Sequence, residues 1–288
     1  MLVNAIDSVM RAGSNLEVIV VDDASTDDTN AVCRKIDGIV YLRLEHNAGL
    51  ARARNAGIKK STGEYIAFLD DDDLRSTNSL NKQAELLDRD AGLGFVYGQV
   101  YIGEPATCLP TGIVRPSRCL TGDIFGELVK GNFIYVPSVM VRRRCFEQIG
   151  LFALDLPGTE DWDAWLRLSA ISRVDAVQEP VGVYRDFTRQ SGQMSSNRPR
   201  MLKSSVRTQC RALRSPRGLT LDCATRRGLR SEFLNRIWDE LIREGHLSVS
   251  DGDYSGAAMN YLTAAELYPS RAMRSALRYL TRIVHQVA

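Results

Sequence analysis

The sequence has no long apolar run. Nothing in its 288 residues approaches the roughly 18 apolar residues of a membrane-crossing helix, which excludes a transmembrane helix. The opening stretch, Met1-Leu2-Val3-Asn4-Ala5-Ile6-Asp7, has neither the basic start nor the apolar centre of a secretory leader, so a cytoplasmic protein is expected. Cysteine is scattered: Cys33, Cys108, Cys119, Cys145, Cys210 and Cys223 include no C-x-x-C pair and no neighbouring histidine. That spacing excludes a zinc ribbon and reads as reduced thiols, most of them core fillers. There is no Asn-x-Ser/Thr acceptor, and no nucleic-acid module with interleaved aromatics, so nucleic acid is not an expected partner. What remains is an ordinary globular composition, 44% hydrophobic and 25% charged.

The net charge of +2 conceals a split. Residues 1–197 hold 21 basic and 27 acidic residues, whereas residues 198–288 hold 16 basic and 8 acidic. Composition changes in the Ser-, Gln- and Arg-rich stretch 189–200, so two parts are expected: a domain over 1–197 and a helical extension over 198–288. A basic extension has anionic partners as its default candidates, and a membrane surface is the better fit. In 271–288, Met273, Leu277, Leu280, Val284 and Val287 form one helical stripe, with Arg271, Arg274, Arg278 and Arg282 outside it. That pattern predicts peripheral contact with the inner face of the membrane, the alternative being a stripe packed back on the preceding helices.

Periodicity places the elements. Leu2, Ile6, Val9 and Met10 predict a helix over 2–12. Strands are expected over 16–21, 39–44, 64–69 and 94–102, with helices over 48–59 and 80–87, and Ser25 or Thr26 as a cap. A loop over 103–122 leads to a strand over 136–142 and a short helix over 143–149 that Gly150 stops. A helix over 162–170 and a strand over 174–184 interrupted by Pro180 complete the domain. Alternating strands and helices imply an α/β fold with a mostly parallel, Rossmann-like sheet flanked by helices. Its ligand crevice would lie at the carboxyl ends of strands. Both acidic clusters of the chain fall at such ends.

The stronger cluster is Asp70-Asp71-Asp72-Asp73, directly after the apolar Ile66-Ala67-Phe68-Leu69. Adjacent carboxylates repel one another and add nothing to a core, so a cation is the natural neutraliser; Mg²⁺ typically shares one or two carboxylates with substrate phosphates. An aspartyl phosphatase is an alternative, with Asp70 as nucleophile and Asp72 as acid. Leu74 after the cluster, and the want of a suitable lysine motif, count against it. An EF-hand loop fails for lack of a glycine at its sixth and a glutamate at its twelfth position.

Three segments taken together carry a resemblance. They are Val20-Val21-Asp22-Asp23-Ala24-Ser25-Thr26-Asp27-Asp28-Thr29, Asn47-Ala48-Gly49-Leu50-Ala51-Arg52-Ala53-Arg54-Asn55-Ala56-Gly57, and Gly63-Glu64-Tyr65 through Asp73. In order and spacing the chain closely resembles the family 2 glycosyltransferases over roughly residues 1–195. The likeness extends to Pro137-Ser138-Val139-Met140-Val141-Arg142-Arg143 and to Glu160-Asp161-Trp162-Asp163-Ala164-Trp165. It implies a GT-A fold and an inverting transfer from a nucleoside-diphosphate sugar, a UDP-sugar, to a glycan, lipid-linked or other hydroxyl acceptor in cell-envelope polysaccharide synthesis. A non-catalytic relative that keeps the nucleotide-sugar crevice is the alternative.

Carried over residue by residue, the resemblance assigns Asp23 to the pyrimidine imide and Arg54 to the base or diphosphate. Asp22, Asp70 and Asp71 join them as nucleotide-site candidates. Asp70 and Asp72 form the D-x-D pair, with Asp72 as the direct ligand of Mn²⁺ or Mg²⁺. Asp161 is the general base, with Glu160 as the alternative and a plain helix N-cap as Asp161's structural reading. The family opens with an apolar strand that lines the nucleotide pocket, and this chain is expected to open in the helix after it. Phe187 stands where many relatives have a histidine, so no histidine ligand is expected.

Overall fold

A computed structural model of the chain describes residues 1–186 and 198–272. They fall into two compact units divided between Ser196 and Asn197.

In the first unit the amphipathic opening forms α1 (Leu2–Ala12), which buries Ala5, Ile6 and Ala12 and leaves Val3 and Met10 exposed. Then come β1 (Val18–Asp22), α2 (Thr29–Cys33), β2 (Ile39–Arg43), α3 (Leu50–Lys60), β3 (Tyr65–Ala67), β4 (Leu74–Arg75) and α4 (Ser79–Arg89). The unit continues through β5 (Leu93–Gly103), β6 (Pro110–Arg115), α5 (Phe125–Lys130), β7 (Met140–Arg142), α6 (Arg143–Ile149), α7 (Glu160–Ile171) and β8 (Arg173–Arg185).

β1 and β2 pair in parallel, Val18 opposite Ile39 through Asp22 opposite Arg43. The other strands form one sheet in the order β3-β7-β5-β8-β4, with β6 on β5. Among the described residues β1 has a ladder partner only in β2 and β3 only in β7, so the two sheets are separate. The α/β architecture is the expected one, but the pairing is more mixed than a mostly parallel sheet. β1–β2 and β5–β8 are parallel, while β7 runs antiparallel to both β3 and β5, β4 to β8, and β6 to β5. Part of the reason is connection length: β5 and β6 are joined by a short turn, and a short turn can only reverse the chain.

Four local expectations are corrected. The stretch 103–122 is not all loop: β6 lies within it, an exposed edge strand held by its ladder to β5, so no buried apolar alternation betrays it. The strand expected over 136–142 breaks into a 3₁₀ turn at Val136–Ser138 and the short β7, because Pro137 has no N–H for a ladder. Neither Ser25 nor Thr26 caps α2; Asp27 Oδ1 takes the Thr29 N–H at 3.0 Å, and the Ser25 N–H is used by Asp22. α5 was not foreseen; it buries Phe125, Leu128 and Val129.

The core lies between the helices and the six-stranded sheet. Ala12, Leu80, Leu87, Leu93, Val96 and Met140 form one buried cluster. A fully buried leucine such as Leu87 contributes roughly 2 kcal/mol by area. On α7, Trp165 is fully buried and stacks on Phe95 of β5, with ring centroids 6.4 Å apart. Residues 68–73 carry the chain from β3, at one end of the sheet order, to β4 at the other. The acidic run is therefore a crossing segment at the sheet's end.

The second unit is helical: α8 (Arg198–Arg214), α9 (Pro216–Leu219), α10 (Cys223–Ser250) and α11 (Tyr254–Leu267). Asp222 caps α10 by accepting the Ala224 and Thr225 N–H groups at 2.9 Å, and Asp253 caps α11 through Gly256. Phe233, Ile237, Trp238 and Leu241 form the buried side of α10. No helix among the described residues is long and apolar enough to cross a membrane. The apolar stripe from Met273 to Val287 lies outside the described residues, as does Phe187.

Candidate active site

The two carboxylates at the end of β1 take different positions. Asp22 is buried; its Oδ1 accepts from the Ser25 N–H at 2.7 Å, and its Oδ2 accepts from Tyr41 Oη and from Arg43 Nη1 at 2.6 Å. Burial pushes its carboxyl pKa up, but the Tyr41 and Ser25 hydrogen bonds and the Arg43 charge outweigh that, and the net shift is down. Asp22 therefore closes the β1 turn onto β2 and is not presented to the crevice as a nucleotide contact. Asp23, half-buried, accepts the Ala48 and Gly49 N–H groups at 2.7 Å each and so braces the start of α3. Gly49 caps that helix at φ 87°, a left-handed value that would strain any other L-residue although nothing lies within 4 Å of its Cβ position.

One turn into α3 stands Arg54, with its side chain 8% exposed. Its Nη2 donates to both oxygens of Asp70, at 2.8 and 3.1 Å, and its Nη1 donates to Glu160 Oε1 at 3.0 Å. Burial pulls the guanidinium pKa down, but Asp70 and Glu160 more than restore it, and the net shift is up. Three segments far apart in sequence thus meet on one side chain: α3, the acidic run and the first turn of α7. Beneath it, the Phe152 ring centroid lies 5.9 Å from the guanidinium carbon. Phe152 packs edge-on against Phe68 at 5.2 Å and Trp165 at 6.1 Å, which gives the site an apolar floor.

That floor is held by polar clamps that the sequence did not announce. Asn55, next to Arg54, donates to the Phe152 carbonyl and accepts its N–H, both at 2.9 Å. Arg167 of α7 donates to the Ile149 carbonyl at 2.7 Å and the Leu151 carbonyl at 3.0 Å. Arg75 is fully enclosed and pulled down to a pKa of about 9 by burial; it donates to the carbonyls of Phe68 (3.2 Å) and Val139 (3.0 Å) and to Gln83 Oε1 (2.8 Å). It staples the strand end from which the acidic run departs.

Within the run the four carboxylates are not equivalent. Asp71 is exposed and Asp72 half-buried, whereas Asp73 is buried with Oδ1 accepting from the Arg185 N–H at 2.8 Å. Burial, and next the Asp70 charge, hold the Asp73 carboxyl well above the usual carboxylate range, and its hydrogen bond to the end of β8 serves the fold. Asp72 is also raised, by burial and then by Asp70 and Asp71. That like-charge repulsion is what a bound divalent cation relieves. Among the described residues no three His, Cys, Asp or Glu side chains converge as a ligand set. The chain itself offers Asp72 and Asp70, hard oxygen donors in the number that Mg²⁺ commonly takes when diphosphate oxygens complete the shell. The residues fit such a cation.

At the start of α7, Glu160 and Asp161 separate in role. Glu160, its side chain 4% exposed, is turned to Arg54, with Oε2 buried and unpartnered. Asp161 is not the helix cap; Thr159 holds that position and Asp161 lies in the first turn. Its Oδ1 accepts from the Trp162 N–H at 2.6 Å and its Oδ2 from Asn132 Nδ2 at 3.1 Å. Burial, and next the Glu160 charge, push its carboxyl pKa up to about 7. Asn132 was missed from sequence because it lies in a short, aperiodic turn after α5.

Residues 1–150 match the family model described as glycosyl transferase family 2. The chain belongs to that family. A glycosyltransferase of Rickettsia bellii is 31% identical over 190 residues, which cover 64% of this chain and 26% of that protein. The Escherichia coli UDP-Glc:alpha-D-GlcNAc-diphosphoundecaprenol beta-1,3-glucosyltransferase WfaP is 30% identical over 54% of this chain and 59% of its own length. This member of glycosyl transferase family 2 thus spans between a quarter and six-tenths of the curated relatives it matches. Its fold matches the mannosyltransferase PcManGT of Pyrobaculum calidifontis, solved with GDP-Man and Mn²⁺, at a TM-score of 0.55 and 18% identity, covering 93% of this chain and 82% of that one. The GT-A-like fold and the family are therefore established. The aspartyl phosphatase alternative falls with them.

Proposed function

We propose that this glycosyl transferase family 2 chain moves a sugar from a nucleoside-diphosphate sugar, UDP-linked, to a hydroxyl of a glycan or lipid-linked acceptor, with inversion at the anomeric carbon. One observation carries the reading: Arg54 ties Asp70 of the acidic run to Glu160, the neighbour of Asp161. Candidate cation ligands and candidate base so belong to one crevice. The E. coli relative's UDP-glucose donor and diphosphoundecaprenol acceptor support the donor and acceptor classes.

In the proposed reaction Asp161 accepts the acceptor hydroxyl proton as the oxygen bonds to the anomeric carbon and the sugar–phosphate bond breaks, its electrons leaving with the nucleoside diphosphate. Asn132 holds the Asp161 carboxylate in place, and Arg54 keeps Glu160 from competing for the proton. Asp23 braces the α3 entrance beside the nucleotide. Mn²⁺ or Mg²⁺ held by Asp72, with Asp70, would supply charge neutralisation at the leaving diphosphate.

The test is twofold. Calorimetry with a panel of UDP-sugars should give Mn²⁺-dependent binding that Asp72→Ala weakens at least about tenfold, and proton NMR of the product should show the inverted anomer. A retained anomer, or donor binding indifferent to both the metal and Asp72, would sink the reading. Metal-dependent binding without turnover would favour the non-catalytic alternative.

A further inference from the structure

The second unit segregates its charge. Residues 198–230 carry nine arginines and one lysine against a single carboxylate, Asp222, and contain no aromatic residue. Residues 231–272 carry three arginines against seven carboxylates. On α8, Arg200, Arg207, Arg211 and Arg214 recur at steps of 7, 4 and 3, which places them on one helical face, and all four are exposed. Leu202, Val206 and Leu213 are buried on the opposite face. Arg227, in the first turns of α10, is exposed as well. Arg207, Arg214 and Arg227 form no ion pair among the described residues. In the turn after α8, α9 ends on Leu219, an apolar side chain 56% exposed.

We infer that the outer face of α8, with the α9 turn, docks on an anionic membrane surface, its guanidinium groups on lipid phosphates and Leu219 at the acyl boundary. Each feature fits that partner. The guanidinium fork matches phosphate oxygens in pairs, and the nine-to-one preference for arginine over lysine favours such contacts over a diffuse field. A leucine exposed among arginines is the composition of an interfacial element. Single-stranded nucleic acid, the other large polyanion, is bound by stacking bases on aromatic rings, and 198–230 has none.

The test is co-sedimentation of the full chain with vesicles of phosphatidylcholine alone and of an equimolar phosphatidylcholine–phosphatidylglycerol mixture. Binding should be confined to the anionic vesicles and weaken as salt is raised. Arg207→Glu/Arg214→Glu/Arg227→Glu should lower partitioning about a hundredfold or more, since each arginine near an anionic leaflet is worth roughly fivefold. Lys35→Glu/Arg89→Glu/Arg144→Glu, exposed residues of the first unit, makes the same change in net charge and should leave binding within a few-fold. Leu219→Asp should weaken the binding that survives at high salt. All altered residues are exposed, and circular dichroism verifies that each variant is folded. The inference is overturned by a wild-type chain that ignores anionic vesicles, by equal losses in the two charge-reversed variants, or by a single-stranded oligonucleotide that displaces the chain from vesicles.

Discussion

Removing Arg54 should damage the fold in a way that depends on one partner. Arg54→Ala strips the cation from two carboxylates with very different access to water. Asp70 has a side chain 27% exposed and can be rehydrated, so its loss of contact costs at most about 1 kcal/mol. Glu160 is 4% exposed and Arg54 is its hydrogen-bonding partner; breaking a buried pair from one side typically costs about 3–5 kcal/mol. The expected loss is therefore about 3–5 kcal/mol, dominated by Glu160, against a total of roughly 5–15 kcal/mol for a folded protein. With a urea dependence near 3 kcal/mol per molar, the midpoint should fall by about 1 M or more. Urea unfolding followed by circular dichroism measures it. Adding Glu160→Gln removes the stranded charge, so the double variant should regain about 1–3 kcal/mol relative to Arg54→Ala. A single-variant loss under about 1 kcal/mol, or a double variant no better than the single, would refute the assignment of Arg54 as the buried clasp.

Other outcomes follow from the same geometry. Because Asp161 is pushed up to about pH 7 by burial and by Glu160, and a base must be deprotonated, kcat/KM should rise with pH through about 7; a limb near pH 4 would contradict it. Asn55→Ala strands the buried N–H and carbonyl of Phe152, at about 1–3 kcal/mol per group, and thermal unfolding should register a drop of several degrees. Asp22→Asn should destabilise the chain at neutral pH. The folded Asp22 carboxyl lies below its ordinary 3.8, so its contribution is present above that value and lost as pH falls through the folded one. The deficit of the variant should accordingly close in acid, and a deficit independent of pH would contradict the cause given.

Much of the first unit was legible because burial follows the backbone period. Leu2, Ile6 and Val9 marked α1, and the continuous Val18-Ile19-Val20-Val21 marked β1. What failed was structure that is not paid in buried apolar surface: exposed β6, held by its ladder, and the Val136–Ser138 turn, dictated by Pro137. At the site, the residue types were readable and their partners were not. Asp22 and Asp23 look alike in sequence, yet the register that sets Asp22 opposite Arg43 turns one into a structural group and leaves the other at the α3 entrance. Asp161 was set ahead of its neighbour Glu160 by resemblance alone; Arg54, the partner that engages Glu160, lies 106 positions earlier. Asn132 and Asn55 act through side-chain hydrogen bonds to residues distant in sequence, which leave no periodic trace. The acidic run announced itself by repulsion alone, but only the fold separates Asp73, buried and bonded to the Arg185 N–H, from half-buried Asp72.

The most direct measurement of the central claim is the kinetic split of Asp161→Asn, with UDP release followed alongside calorimetric donor binding in the presence of Mn²⁺. The account predicts that kcat falls by about 10²–10⁴ while the donor Kd stays within a few-fold of wild type, because Asp161 handles the acceptor proton and leaves the nucleotide to other residues. A kcat within about tenfold of wild type, with donor binding intact, would contradict it.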